Sequence, residues 1–139
     1  MRRIPEIAVT DTLALIWWVS DQRRRLGRRA NTFFDRVDEG AAVVCVPAVV
    51  LVELDEALHA GDLSLSEPFP VFVNRLASTP SRYQLIDLTP AVVTRAHELF
   101  AIPERGDRLI AATAAVLEYP LVTRDAEIAR AFGGDQIWN

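Results

Sequence analysis

Four acidic residues stand where a carboxylate either does chemistry or caps a helix. Asp11 directly follows the apolar run 7–10, and Glu53 lies in the stretch after a second run at 43–46. Asp107 opens an alanine-rich stretch, and Asp125 comes just after a third run at 120–123. Taken singly, Asp11, Asp107 and Asp125 read most simply as helix N-caps, a role worth about 0.5–2 kcal/mol. Glu53 resists that reading. On a helix its neighbours at three and four residues are Val49, Val50, Glu56 and Ala57, so it interrupts a largely apolar stripe. A carboxylate buried there is costly unless an arginine pairs with it or a metal binds it. Four carboxylates in one crevice would raise one another's pKa, and a divalent cation would relieve the conflict. Oxygen-only donors suit Mg²⁺ or Mn²⁺.

Other chemistries lack their residues. Cys45 sits in an apolar run, and His59 and His97 have no metal-ligand spacing, which leaves zinc without a site. No nucleophile elbow supports a Ser-His-Asp triad. All 15 basic residues are arginine, which excludes the lysine-dependent Walker loop and Schiff-base chemistry. An aspartate-based phosphotransferase would need a second aspartate near Asp11 and a lysine, and has neither.

The elements that must position the acids alternate in type. Strand-like runs at 7–10, 43–46, 83–88, 120–123 and 137–138 are separated by helical patterns at 12–20, 28–39, 49–59, 69–77, 90–100, 107–118 and 126–132. Thr89-Pro90 is an N-cap followed by a first-turn proline. The 139 residues make one α/β domain with a central, mainly parallel sheet of about five strands sandwiched by helices. Ligands in such sheets collect at the carboxyl ends of the strands, where the strand order reverses.

Residues 1–36 hold eight arginines against four acids, although the net charge is −4. Arg23, Arg24, Arg25, Arg28 and Arg29 are candidates for phosphate contacts with an anionic partner, which the family resemblance given below makes RNA; a solvated turn or a protein-facing surface is the plain alternative. Thr12 and Thr123 bring hydroxyls near the acids, Thr12 reading equally as a first-turn helix residue. The adjacent Trp17 and Trp18 point in different directions on a helix, so a second subunit is expected to cover one of them. The longest apolar stretch, residues 41–52, contains Pro47 and falls short of the roughly 18 residues of a membrane span. The basic segment 1–6 lacks the small-residue cleavage site of a signal peptide. The single cysteine points to a reducing compartment, so a cytoplasmic location with no membrane partner is expected.

The order of these residues resembles the PIN-domain family, and within it the VapC-like toxin ribonucleases. The carrying segments are Val9-Thr10-Asp11-Thr12-Leu13, Val46-Pro47-Ala48-Val49-Val50-Leu51-Val52-Glu53-Leu54, Gly106-Asp107-Arg108-Leu109-Ile110-Ala111-Ala112-Thr113-Ala114 and Leu121-Val122-Thr123-Arg124-Asp125. The resemblance covers essentially the whole chain. It implies that Asp11, Glu53, Asp107 and Asp125 hold Mg²⁺ or Mn²⁺ and catalyse RNA phosphodiester hydrolysis, leaving 5′-phosphate and 3′-hydroxyl ends. It also implies inhibition by a small cognate antitoxin, and a homodimer. Two departures stand out. Leu13 replaces a frequent histidine, and Glu104-Arg105-Gly106-Asp107 replaces a frequent Asp-Pro-Phe-Asp, keeping Glu104 as a supporting acid. A catalytically inactive PIN-like module that binds RNA or protein is the alternative.

Overall fold

Among the described residues short uncharged runs, most of them with β-branched residues, build five strands: β1 Ile7–Thr10, β2 Val43–Pro47, β3 Tyr83–Ile86, β4 Leu121–Val122 and β5 Gln136–Ile137. In this computed structural model residues 3–139 are described; Met1 and Arg2, part of the basic N-terminal segment, lie outside them. The strands form one sheet in the order β3-β2-β1-β4-β5, and every pairing is parallel. The expectation of a mainly parallel five-stranded sheet therefore holds, although β4 and β5 are only two residues each.

Among the described residues seven α-helices connect the strands: α1 Thr12–Val19, α2 Arg28–Asp38, α3 Ala48–Ala60, α4 Phe69–Ala77, α5 Pro90–Glu98, α6 Arg105–Leu117 and α7 Ala126–Phe132. The chain builds outward from β1 to β3, then returns to add β4 and β5 on the other side of β1. Right-handed crossovers put the helices before and after that reversal on opposite faces. Cover on both faces explains why the central strands carry apolar runs instead of alternation. Ala8, Val9, Val44, Cys45, Val46, Leu121 and Val122 are all fully buried.

Helix packing follows the apolar spacing. Phe33, Phe34 and Val37 of α2 lie in the main core, and Leu54, Leu63, Phe72 and Leu76 form a second cluster joining α3 to α4. The tryptophan expectation changes here, because both rings find cover within the chain. Trp17 is buried and tilted against Trp138, with centroids 6.1 Å apart. Trp18 is half-buried and stacks on Phe34 at 4.6 Å.

The C-terminal segment closes the start of α2. The Trp138 carbonyl accepts the amides of Arg29 at 2.9 Å and Ala30 at 3.1 Å, two of the donors that a helix start leaves without intrahelical partners. Gly27, the residue preceding α2, makes this possible, since a Cβ there would overlap that carbonyl. Arg29 adds a bond from Nη1 to the Gln136 carbonyl at 3.1 Å.

Candidate metal centre at the strand ends

The reversal of strand order falls between β1 and β4, and the residues that follow them are Asp11 and Thr123-Arg124-Asp125. The Asp11 amide donates to the Val122 carbonyl at 3.1 Å, which pins this acid across the reversal. Asp11 Oδ1 accepts the Ala14 amide at 2.8 Å. Asp125 Oδ1 accepts the amides of Glu127 at 2.9 Å and Ile128 at 3.1 Å. Both aspartates are thus N-caps, of α1 and α7. Capping and a place in the site are not alternatives, because a carboxylate with one oxygen on the backbone has a second to offer.

Asp107 differs from its expected position. It does not open its helix; α6 begins two residues earlier, at Arg105, and its N-cap Glu104 makes no side-chain cap bond. Asp107 therefore lies inside the first turn, where the helix dipole favours a negative charge. Glu104 is exposed and does not line the cleft; it acts on Asp107 through charge alone.

Asp11, Glu53, Asp107 and Asp125 line one cleft of about 360 Å³, together with Thr12, Leu13 and Arg124. Among the described residues no arginine pairs with Glu53. Its Oε1 instead accepts the Thr12 hydroxyl, which gives that threonine a task beyond starting α1. Thr123 is fully buried. Its hydroxyl accepts the Asp125 amide at 3.2 Å, and its polarity works to lower the Asp11 carboxyl, so it bears on two of the acids.

The electrostatics record the crowding. Burial pushes the Asp11 carboxyl up to about 6, against the Ala14 amide and the Thr123 hydroxyl, and the charges of Asp107 and Glu53 add to the rise. Asp107 is also raised, by burial first and then by the charges of Glu53, Asp125 and Glu104. Among the described residues no three His, Cys, Asp or Glu side chains converge closely enough to hold an ion as they stand. The acids share the cleft without meeting at one point. Their chemistry nonetheless fits a hard divalent cation: all donors are oxygen, and their mutual repulsion is what a 2+ charge would relieve. Cys45 is excluded as a partner, since it is buried in β2 with its thiol pushed up to about 11. His59 is exposed and faces Asp55 on its own helix.

The arginine cluster is divided in its use. Arg23 reaches both Asp35 and Asp38, and Arg29 is held by Gln136, so these two serve the fold. Arg24, Arg25 and Arg28 are exposed.

One site residue was not legible beforehand. Gly106 packs against Glu53: a Cβ there would overlap Oε2 and sit 2.9 Å from Cδ. Replacing Gly106 with alanine should favour the helix by about 1 kcal/mol, yet it must displace a carboxylate already held by Thr12. The expected outcome is little change in melting temperature with an affinity for Mn²⁺ lowered about 10–100-fold, measured by calorimetric titration.

An all-parallel α/β domain with acids gathered at its switch point is one class of protein, and comparison places the chain within it. The PIN domain family pattern matches residues 8–133, and the chain belongs to the PIN-domain family. No curated protein matches it significantly in sequence. Among solved structures it is similar to VapBC2 from Rickettsia felis bound to a promoter DNA fragment, with TM-score 0.66, 18% identity and coverage of 96% of this chain and 99% of the other. It is similar to FitAcB from Neisseria gonorrhoeae, with TM-score 0.60, 19% identity and coverage of 94% and 96%. VapBC-5 from Mycobacterium tuberculosis, of the VapBC family of toxin-antitoxin systems, gives TM-score 0.53, 20% identity and coverage of 96% and 98%.

Proposed function

We propose that this PIN domain is a Mg²⁺- or Mn²⁺-dependent endoribonuclease, the toxin of a toxin–antitoxin pair. The reading is carried by one observation: four carboxylates from separate parts of the chain line the cleft at the reversal of strand order. Asp11, Glu53, Asp107 and Asp125 are the proposed ligands. A divalent ion bound there would supply positive charge to the phosphodiester and lower the pKa of an attacking water. The chain's own residues prepare for that charge. Thr12 holds Glu53, the Thr123 hydroxyl accepts the Asp125 amide, and the caps fix Asp11 and Asp125 by one oxygen each. A non-catalytic binding module would have no use for four mutually repelling acids, which favours the nuclease.

A small cognate antitoxin as partner is supported by the likeness to structures of toxin–antitoxin complexes. A homodimer is the proposed assembly, supported by the apolar groove between α5 and α6, where Leu88, Val93 and Phe100 are exposed. Among the described residues no helix is long and apolar enough to cross a membrane, and the cytoplasm is the proposed location. The test is cleavage of single-stranded and structured RNA with Mg²⁺ or Mn²⁺, with and without chelator, and with Glu53→Gln. Cleavage to 5′-phosphate ends that stops in chelator supports the reading. Metal-independent cleavage, or full activity in the variant, overturns it.

A further inference from the structure

The acidic cleft repels the substrate it is proposed to cut, so the positive charge that brings an RNA strand there must stand at its edge. Arg124, which precedes Asp125 in the chain, lines the cleft, is exposed, and makes no ion pair among the described residues. An exposed arginine beside several carboxylates would ordinarily bridge to one of them. Here its guanidinium carbon lies over the Trp17 ring instead, 5.2 Å from the centroid. Arg25 lies over the same ring, also at 5.2 Å, and among the described residues its one polar side-chain partner is the neutral Gln22, at 3.3 Å. Trp17 is a firm base for both, being buried and packed against Trp138.

We infer that Arg124 and Arg25, held on Trp17, form a phosphate-binding rim that guides a single RNA strand into the acidic cleft. The inference rests on the nuclease reading and adds the substrate contact that the acids cannot make. A guanidinium held over an indole by cation–π attraction still offers its fork of N–H donors, which can grip phosphate oxygens in pairs. Two such forks on one ring can hold successive phosphates of a strand. A base can also stack on the guanidinium plane, a contact closed to an acidic peptide. Arg23 and Arg29, committed to Asp35, Asp38 and Gln136, cannot take this part.

The test uses the full chain carrying Asp11→Asn, so that binding is read without cleavage. Anisotropy of a short fluorescein-labelled single-stranded RNA is followed over a range of salt concentrations. Arg124→Gln should weaken binding about tenfold and lower the salt slope by about 0.7, the loss of one phosphate contact on a single strand. Arg25→Gln should act in the same direction, and Arg95→Gln on α5 should change neither. Affinity and slope in Arg124→Gln equal to those of Arg95→Gln would overturn the rim while leaving the nuclease reading intact. Loss of polyglutamate binding with RNA binding unchanged would also overturn it, by making the rim a protein-facing surface. A parent chain that binds no RNA at all would bring down the nuclease reading, and the rim with it.

Discussion

Asp11→Asn is expected to remove RNA cleavage, by at least about a hundredfold, and at the same time to make the metal-free protein more stable. The two effects share a cause. Burial and the neighbouring acids raise the Asp11 carboxyl from 3.8 to about 6, so the folded state holds its proton more tightly than the unfolded chain does. Ionising it in the folded protein at pH 7 costs up to about 3 kcal/mol. Asparagine carries no charge but keeps the oxygen that accepts the Ala14 amide, so the cap of α1 survives. A gain of about 1–3 kcal/mol, or roughly 3–10 °C in melting temperature, should appear in chelator at pH 7.5. The sign follows from linkage. Between about pH 4 and pH 6 the folded wild type binds more protons than the unfolded chain, so its stability falls as pH rises through that window. The advantage of the variant should therefore vanish at pH 4. An Asp11→Asn protein that melts below wild type at pH 7.5 in chelator would contradict the account.

The second large effect is linkage to the ion. Mn²⁺ or Mg²⁺ at a hundredfold excess over its Kd should stabilise the wild type by about 2.7 kcal/mol. The apparent affinity should fall about tenfold per pH unit below pH 6, because a proton on Asp11 competes with the cation. Asp107, raised by its own burial and by Glu53, steepens that loss. Thermal melts with Mn²⁺ at pH 7.5 and pH 5 provide the measurement. An equal shift at the two pH values, or an undiminished shift in Asp11→Asn, would place the ion elsewhere.

What was legible in the sequence depended on local signals. Asp11 directly follows one buried strand and Asp125 lies three residues past another, so their placement at the switch point came with the strand–helix alternation. Glu53 betrayed itself by interrupting an apolar stripe. The start of α6 was misplaced because aspartate is a strong cap signal, whereas the observed cap position is filled by Glu104 without a side-chain bond. Gly106 looked like a weak helix residue, and only its contact with a carboxylate 53 positions earlier in the chain explains it. Arg124 was hidden between two site residues, in a turn where arginine signals nothing by itself. Its importance lies in the Trp17 ring, which no local pattern could have brought beside it.

Cys45, sealed in the centre of the sheet with its thiol at about 11, bears on how the molecule can be studied. Almost none of it is thiolate at neutral pH, and no reagent reaches it without unfolding. A second cysteine placed at an exposed position would therefore be the one that reacts with a maleimide. Spin labels or fluorophores can be attached one at a time around the cleft, with the native thiol left in place.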